Sequence, residues 1–153
     1  MLAAAFATTI ALLPGVLTDT VTEVKPQTPL PILLPSNFYS DFDELHPYGS
    51  GDKKTYDIGV AGAPDCGGAT ACFAASFRAE KGGKPFGRGK VTLTKGRHGR
   101  YQPLGCGASC SPPSISWKER GVTYTIQAKV VGKPSDRALL VKMANEAIRQ
   151  GPR

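Results

Sequence analysis

Histidine, methionine and tryptophan are scarce in this 153-residue chain, with two His, two Met and one Trp. The shortage of histidine has the widest consequence. Neither His46 nor His98 stands in a local motif with a Ser, Cys or Asp, so no nucleophile-and-base pair can be read from the sequence. No C-x-x-C occurs, which removes a thioredoxin-like redox pair. The stretches Lys81-Gly82-Gly83-Lys84 and Phe86-Gly87-Arg88-Gly89-Lys90 miss the spacing of a phosphate-binding loop and read as hairpin turns. Internal repeats and low-complexity tracts are lacking. The uncharged apolar run over residues 1–17 is at the short limit of about 17–25 residues for a membrane helix and is broken by Pro14-Gly15, so no stable transmembrane span is expected.

What is present fits one domain. The chain is 41% hydrophobic and 20% charged, too apolar for a wholly disordered polymer, and its 18 Gly and 13 Pro imply many turns. The net charge of +7 is unevenly distributed. Residues 1–65 hold three basic and eight acidic side chains, whereas residues 66–153 hold sixteen basic and four acidic. The excess peaks where Arg78, Lys81, Lys84, Arg88, Lys90, Lys95, Arg97 and Arg100 face only Glu80. Such a field favours polyanions, and the same spacing also suits charges that keep a hairpin solvated and guard a sheet edge.

The N-terminal run reads as an apolar leader, a truncated signal segment. Ala5-Phe6-Ala7 has the small-x-small form of a cleavage site, although no Lys or Arg precedes the run. The cysteines agree with export to a periplasmic, cell-surface or extracellular location. Cys66, Cys72, Cys106 and Cys110 form an even set, for which three connectivities are formally open. Local pairing of 66 with 72 and 106 with 110 is favoured because each pair brackets a loop of small residues. A closed four-thiolate zinc site competes with it, but C-x5-C departs from the usual knuckle spacing.

Along the chain, residues 18–54 read as linker and loop, with Pro31-Ile32-Leu33-Leu34-Pro35 as a short extended segment at a sheet edge and one helical turn possible later. Residues 55–151 read as the folded domain. Period-two alternation places Tyr56, Ile58 and Val60 on one face, then Phe73, Ala75, Phe77 and Ala79, then Val91 and Leu93. Ile115 and Trp117 lead through Lys118-Glu119-Arg120-Gly121, a hairpin turn, into the clearest strand, Val122, Tyr124, Ile126, Ala128 and Val130. Trp117 is expected in the core. Pro134-Ser135-Asp136 then opens a helix whose Leu140, Met143, Ala144, Ala147 and Ile148 form one apolar stripe, stopped by Gly151-Pro152. The expected fold is α+β: an antiparallel meander of about five to seven short strands with a C-terminal helix packed on one face.

Three stretches carry a resemblance. The segment from Cys106-Gly107-Ala108-Ser109-Cys110 through Ile115-Ser116-Trp117 to Ile126, the helix with Met143-Ala144-Asn145-Glu146-Ala147-Ile148, and Gly68-Ala69-Thr70-Ala71-Cys72-Phe73 resemble small exported bacterial proteins of the cyanobacterial type. The strand-turn-strand-helix also resembles small domains of envelope lipoproteins and anti-sigma-like proteins. The resemblance spans about residues 55–150. It implies export, disulfides and an α+β fold, and it transfers no activity or catalytic residue.

The candidate binding surface is therefore the basic hairpin: Arg88, Lys90, Lys95, Arg97, His98, Arg100 and Tyr101. Its expected partner is an anionic envelope polymer or lipid head group. Nucleic acid has matching charge but belongs to another compartment. No catalytic residue, metal or cofactor is assigned. The acids Asp41, Asp43, Glu44, Asp52 and Asp57 lack the spacing of a calcium loop. A polymer hydrolase using His46 or His98 with nearby acids is the competing expectation.

Overall fold

The computed structural model describes residues 8–153. The Ala5-Phe6-Ala7 motif lies outside the described residues. Eleven strands and two α-helices follow in order: β1 (Thr8–Ala11), α1 (Thr18–Val24), β2 (Asn37–Ser40), β3 (His46–Gly51), β4 (Thr55–Ala61), β5 (Phe73–Lys81), β6 (Gly89–Thr92), β7 (His98–Gln102), β8 (Gly105–Cys106), β9 (Cys110–Ser111), β10 (Ser114–Glu119), β11 (Val122–Ala128) and α2 (Asp136–Gln150). Seven strands build one antiparallel sheet in the order β3-β4-β5-β11-β10-β7-β6, while β1-β2 and β8-β9 form small two-stranded sheets. The α+β architecture with a C-terminal helix is as the patterning predicts. Strand order adds that two local meanders are joined side by side. One runs β3-β4-β5 and the other β6-β7-β10-β11, and they meet where Val122–Ala128 pairs with residues 75–81.

Alternation sorts the side chains into two faces. Tyr56, Ile58, Phe77, Ala79, Ile115, Trp117, Tyr124 and Ile126 all point to one face, and each is at most 3% exposed. Trp117 stacks on Tyr124 across the β10–β11 pair, with ring centroids 5.6 Å apart. That face is covered by α2, whose Leu140, Met143, Ala144 and Ala147 are fully buried. Ser135 caps the helix by accepting the Ala138 N–H at 3.1 Å, and Gly151 adopts a positive φ just past its end.

The same face is completed by a part of the chain that departs from the expectation. Residues 18–54, read as linker and loop, contain α1, β2 and β3. Helix α1 settles on β3 because Gly49 leaves room: a Cβ there would stand 2.6 Å from Thr20 Cγ2 and 2.8 Å from Val24 Cγ2. The run 31–35 forms no strand; it crosses the buried face and does not lie at a sheet edge. Ile32, Leu33 and Leu34 are buried there, the Tyr56 hydroxyl accepts the Leu33 N–H at 3.0 Å, and Tyr124 donates to the Pro31 carbonyl at 2.9 Å. Burial holds the Tyr56 phenol far above its ordinary range and pushes Tyr124 up to about 12, so both stay protonated. Leu12 and Leu17, the inner residues of the expected leader, are fully buried in this core.

One residue changes face. A register shift between Val60 and Ala61 bulges β5, so that Phe73 pairs with Ala61 while Ala75 pairs with Val60. Ala74 takes a fully buried place, and Phe73, expected with the core set, is only half-buried.

Cys66–Cys72 and Cys106–Cys110 are both disulfide-bonded, which uses all four sulfurs. The first closes the β4–β5 loop, which Lys129 anchors by donating to the Thr70 and Ala71 carbonyls. No helix among the described residues is long and apolar enough to cross a membrane.

Candidate functional site

Among the described residues, the opposite face of the sheet is covered by no helix. It presents rows of polar side chains across the strands: Lys90, Arg100, Ser116, Thr125, Arg78, Asp57 and Ser50 in one row, and Gln102, Ser114, Gln127 and Ser76 in the next. The connection over residues 82–88 runs across this polar face to reach the far edge. Thr123 donates to the Gly82 carbonyl at 2.7 Å, Lys118 donates to the Gly83 carbonyl at 3.2 Å, and the Arg88 N–H reaches Gln102 Oε1.

Between this strap and the β6–β7 hairpin lies a cleft of about 630 Å³, lined by Lys84, Pro85, Lys90, Thr92, His98 and Arg100 among others. No carboxylate lines it, and among the described residues Lys84, Lys90 and Arg100 take part in no ion pair. The register explains the grouping: Lys90 stands opposite Arg100 and Thr92 opposite His98, so alternation sends all four side chains to the polar face. The hairpin is held from the other side. Arg137 of α2 donates to the Lys90 carbonyl at 2.9 Å, and Asn145 accepts the Thr94 N–H at 2.7 Å.

The seven residues of the predicted surface do not converge. Lys90, His98 and Arg100 line the cleft. Arg88 is exposed on the strap that bounds it. Arg97 turns to the buried face, where its guanidinium meets Glu119 at 2.8 Å while Trp117 Nε1 donates to the other carboxylate oxygen. Its charge is thereby answered inside the fold. Lys95 occupies a left-handed turn position and lines a separate groove with Arg97, Glu119 and Tyr124. Tyr101 also faces the helix side, with the Arg137 guanidinium 5.8 Å from its ring centre. Lys84 was missed as a lining residue, and its signal was its place in the basic stretch.

A second cleft, of about 400 Å³, lies at the β3 end, lined by His46, Tyr48, Asp57, Phe73, Pro64 and the Cys66–Gly68 stretch among others. Asp57 accepts from Ser76 Oγ at 2.9 Å and has the Arg78 guanidinium at 3.9 Å. Tyr48 lies over Gly59, where a Cβ would overlap its hydroxyl. Burial first, and then the Asp57 carboxylate, hold the Tyr48 phenol above its ordinary value, so it acts as a donor. His46 Nε2 lies 3.4 Å from Glu44 but is not directed for a hydrogen bond, and it has no other partner among the described residues.

No protein-family model matches the chain, and no curated protein or solved structure is significantly similar to it. His46 and His98 stand on strands separated by five interstrand spacings, about 24 Å, so they cannot share one reaction centre. Among the described residues, no three His, Cys, Asp or Glu side chains come together as a metal site.

Proposed function

We propose that this chain is an exported, disulfide-stabilised, non-enzymatic domain that binds an anionic envelope polymer in the cleft of Lys84, Lys90, His98 and Arg100. The observation that carries the reading is a concave site that, among the described residues, no carboxylate lines and in which Lys84, Lys90 and Arg100 make no ion pair. Unanswered cations on a wet sheet face draw an anion by charge complementarity, with affinity that falls as salt rises. A polymer fits better than a bilayer because the half-buried Thr125, Gln102 and Gln127 beside the cleft offer hydrogen bonds, and Phe86, 65% exposed on the strap, supplies one apolar ring rather than a broad apolar patch. Export is supported by the two disulfides, which persist in oxidising compartments.

Binding to a soluble polyuronate such as alginate, followed by calorimetry at rising salt, tests the site. Lys90→Glu with Arg100→Glu is expected to lower affinity at least about tenfold at low salt. Lys95→Glu makes a charge change on the other face and is expected to alter it little. Equal losses in both variants, salt-insensitive binding, or binding confined to anionic vesicles would overturn the polymer reading. The export half is checked by intact mass of protein from its native cells. Reduction is expected to add about 4 Da, two hydrogens per disulfide, and an unchanged mass contradicts export.

A further inference from the structure

We propose that the second cleft, at the β3 end of the polar face, is a binding site for a neutral sugar unit, held by Tyr48, Phe73, Asp57 and His46. This cleft is separate from the cationic one and shares no lining residue with it. Two aromatic side chains border this site, and Tyr48 is 40% exposed although its phenol end is laid against the sheet over Gly59. A ring seated in this way offers an apolar surface to a pyranose, whose C–H faces are apolar and whose rim is hydroxyl.

The polar groups match that rim. Asp57 is an acceptor and the Tyr48 hydroxyl a donor, both bordering the cleft. His46 shapes the wall beside them, its Nε2 shut from solvent 3.4 Å from the Glu44 carboxylate. The local charge argues for neutrality. Asp57 disfavours an anion, and Arg78 at 3.9 Å answers Asp57, so a cation gains little. A volume of about 400 Å³ falls in the range of small-molecule sites, about 300–1,000 Å³, and suits a mono- or disaccharide.

Gly59 shows how closely the site is built: a Cβ there would overlap the Tyr48 hydroxyl and stand 2.5 Å from the Ala75 carbonyl oxygen, so the glycine admits the phenol against the sheet. The bulge between Val60 and Ala61 is what brings Phe73 out of the core set and into the cleft wall.

The test is an amide-shift titration of the intact protein with glucose, galactose, mannose, N-acetylglucosamine and their β-linked disaccharides. Each is taken to about 10 mM, where a Kd of about 1 mM is largely saturated. Shifts are expected for at least one sugar and confined to residues 46–48, 57–62 and 66–73. Tyr48→Ala should weaken binding at least about tenfold, and Tyr48→Phe, which keeps the ring and removes the hydroxyl, should weaken it less. Lys90→Glu with Arg100→Glu should leave neutral-sugar binding unchanged. No shifts with any sugar, shifts elsewhere, or shifts indifferent to Tyr48→Ala would overturn this proposal and leave the cationic cleft untouched. Loss of polyuronate binding with retained sugar binding would do the opposite.

Discussion

A chain beginning at residue 18 is expected to fail to reach the native state that the full chain adopts. Leu12 and Leu17 are fully buried, and emptying the site of a buried leucine costs about 2–5 kcal/mol for Leu→Ala alone. Two such losses rival the whole stability of an ordinary domain, about 5–15 kcal/mol. The cut also removes β1, whose four residues pair with β2. Urea unfolding of the two chains, followed by tryptophan fluorescence, decides the matter. Equal midpoints would show that the buried leucines contribute little. The result bears on processing, because a boundary at Leu17 would divide a structural unit.

Trp117→Ala is expected to be the most damaging single substitution, at about 3–5 kcal/mol. Three supports go at once. The indole is 1% exposed, stacks on Tyr124, and donates to Glu119, which also holds Arg97. For a domain of this length such a loss lowers the melting temperature by about 6 °C or more. Trp117→Phe should recover most of the packing and only part of the stability, since Glu119 Oε2 still loses its donor. A thermal melt of the two variants separates the contributions. Equal melting temperatures for Trp117→Phe and the parent would assign the whole effect to packing.

The second half of the chain was legible because its elements obey simple periods. Val122 to Ala128 alternates without a break, and α2 has a cap, a stripe and a stop. The disulfides were legible because each closes a short loop of small residues. The first half was not. Helix α1 is Thr-Asp-Thr-Val-Thr-Glu-Val, seven residues with β-branched side chains at five of them, and its propensity is poor. Burial of Val21 and Val24 on the sheet, a tertiary effect, is what makes it helical. Strand β3 contains Pro47, Gly49 and Gly51, which read as a loop. Prolines there are tolerated because β3 is the sheet's edge.

The binding surface was legible as a charge density and illegible as a site. The hairpin's alternation was visible, but which face would be helix-covered depends on the docking of α2 and the N-terminal segment. Arg97 and Tyr101 went to the covered face, while Lys84 arrived through the crossing strap. The β3-end cleft was hidden for a related reason. Tyr48, Asp57, Ser76 and Phe73 come from three strands and form no motif, and a bulge decides the placement of Phe73.

The seam between the two meanders has a kinetic meaning. Within each meander, neighbouring strands are joined by turns or loops and find each other at short range, but β5 and β11 are separated by some forty residues and their pairing spans Lys81 to Val122 and Ala75 to Ala128. Closing that long loop is entropically slow, so each meander should assemble before the sheet becomes continuous. Once closed, the seam lies at the middle of the sheet, with its inward residues Phe77, Ala79, Tyr124 and Ile126 buried. Its amides then open only when the whole molecule unfolds, which makes the last contact to form also the slowest to exchange with solvent hydrogen.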